Sequence, residues 1–157
     1  MDRSLLVDKI APRELLLREN NRIHFRIQGR TVFHGRDPFW EIAHEGSSLF
    51  SGCWRLLAAD DRRILASYRY ISASYRYGED LRILWHESEE EFLFRRVDPE
   101  QDRWLLISRA GDVLLESAAA ALSENSWELR VVGVLDDRIL LPVVCLLMFD
   151  RLASDRL

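Results

Sequence analysis

Lysine is almost missing from this 157-residue chain: Lys9 stands alone, and every other permanent side-chain cation is an arginine. Cysteine is scarce as well. Cys53 and Cys145 are too few for a disulfide framework, so two reduced thiols in the cytoplasm are the expectation. No apolar stretch reaches the roughly 20 residues that a spanning helix requires. A signal-peptide core is also lacking in the first twenty residues, because Asp8, Lys9 and Pro12 interrupt Leu5-Leu6-Val7 and Leu15-Leu16-Leu17. Positive charge is not in excess. The 22 Lys and Arg residues face 26 Asp and Glu, and a net charge of −4 with a pI near 5.6 argues against nucleic acid as a principal partner. Gly46 and Gly52 are isolated and no phosphate-loop lysine follows them, so no glycine-rich phosphate or cofactor motif is present.

Against these absences stands one run of uncharged, nearly pure apolar residues, Ile139 to Phe149, between Asp136-Asp137-Arg138 and Asp150-Arg151. A surface helix keeps one polar stripe, and this run has none. It must be surrounded by the rest of the protein. Eleven helical residues rise about 16 Å, close to the height of a barrel wall whose strands of six or seven residues tilt by about 40°. Pro142 is least costly if the regular helix begins close to it. Asp136 or Asp137 then shapes the helix start, and Arg151 complements its far end.

Most of the remaining chain alternates with period two. Ile23, Phe25 and Ile27 alternate with His24 and Arg26, which gives a strand one apolar face. Further strands are predicted over Thr31–His34, Phe39–Ala43, Trp54–Ala58, Ile64–Ile71, Ser74–Tyr77, Leu81–His86, Phe92–Val97, Trp104–Ser108, Val113–Ala119 and Trp127–Val132. Turn chemistry separates them, at Gly35-Arg36-Asp37-Pro38, Asp60-Asp61, Gly78-Glu79-Asp80 and Ala110-Gly111-Asp112. The short spacings favour antiparallel pairing, and no convincing crossover helix interrupts them. The four alanines Ala118 to Ala121 favour helix by intrinsic propensity. Residues 1–20 read as a peripheral extension, with room for a short helix over Arg13–Arg18. The fold class is therefore mainly β, a closed antiparallel barrel of about 10–12 strands around a hydrophobic C-terminal helix, in a single domain.

Two groups of residues carry a family resemblance. Leu49-Phe50-Ser51, Trp54-Arg55-Leu56, the acidic turn Asp60-Asp61 and Ile64-Leu65-Ala66 form one. Gly111-Asp112-Val113-Leu114, Ser123–Val132 and Asp136–Asp150 form the other. In this order they resemble the tubby-like superfamily of LURP-one-related and phospholipid scramblase-like domains, over about Asn21 to Leu152. The resemblance implies a closed barrel around a central helix and a binding role at anionic phospholipid. No residue of the tubby phosphoinositide pocket is carried over. Asp136-Asp137 occupies a place comparable to the scramblase calcium segment, without its alternating acidic pattern, and reads as helix capping.

Several chemistry-bearing residues also fit plain structural roles. His24, His34, His44 and His86 match no compact metal-ligand spacing and read as exposed strand or turn residues. Cys53 has no nucleophile elbow around it. Glu87, Glu89, Glu90 and Glu91 read as a solvated loop. The repeat Ser67-Tyr68-Arg69-Tyr70 and Ser74-Tyr75-Arg76-Tyr77 is the most distinctive surface candidate. Tyrosines favour strands and alternate arginines face water, yet arginine beside tyrosine also suits phosphate. Arg62, Arg63, Arg69, Arg76 and Arg82 with Tyr68 and Tyr75 are the predicted headgroup-binding set. The expected function is a non-enzymatic cytoplasmic binding domain, peripheral at the membrane and without cofactor or metal. A protein-interaction module is the alternative, and a hydrolase or metal-dependent enzyme has least support.

Overall fold

Period-two alternation governs the architecture. The computed structural model describes residues 3–45, 53–70, 81–98, 103–117 and 125–154. Its strands are β1 (Arg3–Ala11), β2 (Glu14–Glu19), β3 (Arg22–Gln28), β4 (Thr31–His34), β5 (Asp37–Glu45), β6 (Cys53–Ala58), β7 (Ile64–Tyr70), β8 (Leu81–Trp85), β9 (Glu90–Asp98), β10 (Arg103–Ser108), β11 (Val113–Ser117) and β12 (Ser126–Val131), followed by helix α1 (Asp137–Ser154). Each strand pairs antiparallel with the next, and β12 returns to β1 with Leu5 opposite Leu129, closing the barrel. The predicted closed barrel and terminal helix are both present. The predicted strand Ser74–Tyr77 and the alanines from Ala118 onward lie outside the described residues.

The N-terminal reading is corrected. Residues 3–19 are two wall strands, with neither a peripheral extension nor a helix among them. Leu5 and Val7 on β1, and Leu15 and Leu17 on β2, are buried, while Leu16 between the latter two is only partly so. That is strand periodicity, and β1 supplies the seam that a closed sheet requires. Pro12 sits in the turn joining Ala11 to Glu14, where its missing N–H takes no bond from the ladder. Asp37-Pro38, predicted as part of a turn, instead opens β5, and a register shift between Val32 and Phe33 accommodates the change.

Inward positions from successive strands, including Ile27, Val32, Leu56, Ile83, Leu106 and Leu129, are at most 1% exposed. They meet α1, whose residues Pro142 to Phe149 are all buried. Charged residues such as Arg26, Arg82, Glu116 and Arg130 occupy the outward positions. This is the reverse of a membrane-spanning barrel, which is apolar outside and polar within. Among the described residues, no helix is long and apolar enough to cross a membrane.

Helix α1 starts earlier than its proline suggested. Asp136 accepts the Arg138 N–H on its Oδ1 at 2.9 Å, and its carbonyl accepts from Ile139 and Leu140, which makes it the N-cap. Pro142 therefore lies inside the helix, in its second turn. The cost is contained because the acceptor it leaves without a helical donor is the carbonyl of Arg138, near the solvent-exposed start. The chain reaches the barrel axis through Gly133, whose N–H bonds to the Leu114 carbonyl at 3.2 Å. A Cβ at that position would come within 2.8 Å of the Val113 carbonyl oxygen, so only glycine passes this close to β11.

Antiparallel order fixes two rims. The β2–β3, β4–β5, β6–β7, β8–β9 and β10–β11 turns share a rim with the helix start, and the β1–β2 and β3–β4 turns lie on the opposite one. This assignment decides where the predicted site residues fall.

Candidate anion-binding wall

A barrel whose axis is filled by its own helix leaves the wall and the rims as the surfaces where a ligand can bind. Strand register distributes the predicted arginines over those surfaces. On β7 and β8, Arg69 stands directly opposite Arg82, in a ladder that also pairs Ser67 with Leu84 and Tyr68 with Ile83. Tyr68 and Ile83 point inward and are 1% and 0% exposed. Alternation therefore makes 82 an outward position, where Arg82 is exposed, and position 69 is its register partner.

The same ladders add two arginines that the sequence reading did not single out. Arg55 on β6 is opposite Ser67, two residues before Arg69. Leu93 on β9 is opposite Arg82, and Arg95 follows two residues later. Positions 55, 69, 82 and 95 thus form a diagonal row over four adjacent strands. Successive members are diagonal, directly opposite and diagonal neighbours, about 7–8, 5 and 7–8 Å apart. Glu91, opposite Leu84, is a carboxylate on the same face. The row was hidden from sequence inspection because its members lie far apart along the chain and only register joins them.

Other members of the predicted set are elsewhere. Arg62 and Arg63 lie on the helix-start rim, at the other end of β7 from Arg69. Six residue steps along the strand separate Arg63 from Arg69, a distance of about 20 Å. Arg62 adopts φ +60° in the turn and donates from Nη1 to Glu41 Oε2 at 2.9 Å. Tyr68 is corrected as a surface residue: it is buried against the Trp54 ring, with centroids 6.5 Å apart. Inward parity on β7 put it in the core. Arg76 and Tyr75 lie outside the described residues.

His86 adjoins the Arg55 end of the row. Its Nε2 lies 3.0 Å from Ser67 Oγ, and its backbone N–H donates to the Leu65 carbonyl. Burial, and then the charge of Arg55, hold its imidazole below the ordinary histidine value, so the neutral form prevails at neutral pH.

The chain matches no family model, no curated protein and no solved structure.

The remaining histidines play different parts. His34 is exposed, while its ring approaches Phe25 and Phe39 at 5.6 Å each. His44, expected to be exposed, instead points inward against the Trp54 ring at 4.6 Å. His24 departs from its predicted exposure: its side chain is 10% exposed, with Nε2 3.0 Å from Glu19 Oε1. Glu19 also accepts from Arg3 Nε at 2.7 Å, and Arg3 Nη1 donates to Asp137 Oδ1 at 2.6 Å. This network joins β1, β2 and β3 to the first turn of α1. The Arg3 hydrogen bond pulls the Glu19 carboxyl down to about 2, and the His24 contact adds to the effect against the opposing influence of burial. Cys145 is buried in α1, and burial pushes its thiol well above the usual range. Among the described residues, no group of three or more His, Cys, Asp and Glu is placed to hold a metal ion.

Proposed function

We propose that this chain is a non-enzymatic binding domain of the tubby-like class whose outer wall recognises anionic phospholipid headgroups at a membrane surface. The observation that carries the reading is the placement of Arg69 opposite Arg82, with Arg55 and Arg95 at the diagonal positions. Like charges directly across a ladder oppose folding. An anion with several acceptor oxygens removes that repulsion and accepts charge-assisted hydrogen bonds from more than one guanidinium. A barrel around a C-terminal helix also accords with the resemblance carried by Trp54-Arg55-Leu56 and the terminal segment. No cofactor or catalytic step enters this reading.

A second reading, a protein-interaction module, has its own support. Val134 is 98% exposed between β12 and α1, and Val132, Ile23 and Phe39 are exposed toward the same rim.

Vesicle co-sedimentation separates the two. Binding to phosphatidylcholine vesicles that contain phosphatidylserine, weakened by salt and absent from pure phosphatidylcholine, is the expected result. Equal binding to both vesicle types, or binding to neither, ends the headgroup reading.

A further inference from the structure

Beside the arginine row stands His86, a residue of the type whose charge changes closest to physiological pH. His86 Nε2 is 3.0 Å from Ser67 Oγ, and Ser67 is the register partner of Arg55. The imidazole is therefore one residue's width from the first arginine of the row.

Charged and titratable groups surround it on several elements. β6 contributes Arg55. β7 contributes the uncharged Leu65 and Ser67. On the chain of His86 itself, Trp85 turns inward and Glu87 follows in the exposed β8–β9 turn. On β9, Glu90 is opposite Trp85 and Glu91 is opposite Leu84. Burial first, and then the charge of Arg55, oppose protonation of the imidazole. An anion seated against Arg55 cancels that repulsion, and a protonated His86 in turn offers the anion a further cation.

From this geometry we infer that His86 makes anion binding at the arginine row proton-linked, so that the wall grips an anionic surface more tightly as the pH falls. The inference rests on the proposed headgroup reading and adds to it a mode of regulation. Binding and protonation are reciprocal: whatever factor acid adds to anion affinity, the bound anion adds to the proton affinity of His86.

Two measurements test it. The first needs no membrane. Histidine titration by NMR of the free protein and of Arg55→Gln is expected to show the His86 midpoint moving up when the cation is removed. An unmoved midpoint overturns the coupling even if vesicles are bound. The second compares binding to vesicles of phosphatidylcholine and phosphatidylserine at about pH 7.5 and about pH 5.5, which bracket the ordinary histidine range. The native protein is expected to gain up to about fivefold, the full effect of one added cation near an anionic surface, and His86→Gln to lose that gain while keeping its binding at the higher pH. Equal gains in the two proteins overturn the inference and leave the headgroup reading standing. No binding at either pH overturns both.

Discussion

Arg3 holds Glu19 with its Nε at 2.7 Å and Asp137 with its Nη1 at 2.6 Å, so one guanidinium fastens the wall to the first turn of the axial helix. The side chain is 31% exposed. Its bonds are therefore partly screened, and they act as a network more than as isolated pairs. Arg3→Ala is expected to cost about 1.5–2 kcal/mol in urea unfolding, at the low end of the range for hydrogen bonds to charged groups. The loss should appear as a lower midpoint with an unchanged slope.

The same network sets an acid limit. Glu19 has a folded-state carboxyl at about 2, against an ordinary value of 4.5. A depressed carboxylate stabilises the folded protein above its unfolded value, and that contribution is lost as pH falls through the folded one. Stability should thus decline from about pH 4.5 toward pH 2. Glu19→Gln should be less stable than the native protein at neutral pH, with the difference shrinking across that window. Thermal melts at a series of pH values check this.

Gly133 makes the passage from wall to axis possible. An added Cβ meets the Val113 carbonyl oxygen at 2.8 Å and the Leu114 Cδ2 at 2.9 Å, and a backbone oxygen in a paired strand cannot step aside. Gly133→Ala should destabilise the fold by about 1–3 kcal/mol, the usual range for forced overpacking. Denaturant unfolding followed by tryptophan fluorescence measures it.

Leu146 lies within α1 at 0% exposure. Leu146→Ala removes its packing inside a wall that cannot collapse freely, and about 2–5 kcal/mol should be lost. Cys145 beside it reports on the same packing: a thiol reagent should react with it in the native protein only at the rate of unfolding or opening.

The sequence made some of these features readable and hid others, for physical reasons. Ile139–Phe149 could be assigned to the interior because a helix without a polar stripe has no other stable location. Ile23, Phe25 and Ile27 announced a wall strand by alternation. Leu15-Leu16-Leu17 did not, because an apolar residue at the outward position 16 erased the alternation that burial restores. Arg62 and Arg63 looked close to Arg69 along the chain, yet a strand carries them to opposite rims. Arg55 and Arg95 looked remote, yet pairing brings them into one row. Pro142 marked the helix less sharply than Asp136, whose capping bond to Arg138 places the true start.

The row's function is tested most directly by two double variants compared side by side for binding to anionic vesicles. Arg69→Gln with Arg82→Gln removes the directly opposed pair, and Arg62→Gln with Arg63→Gln removes the same charge from the helix-start rim. With about 1 kcal/mol per cation near an anionic surface, the first variant should bind roughly 25-fold more weakly than the native protein, with its folding intact. The second should stay close to native. Equal losses in the two variants, or an undiminished first variant, would contradict the assignment of binding to this wall.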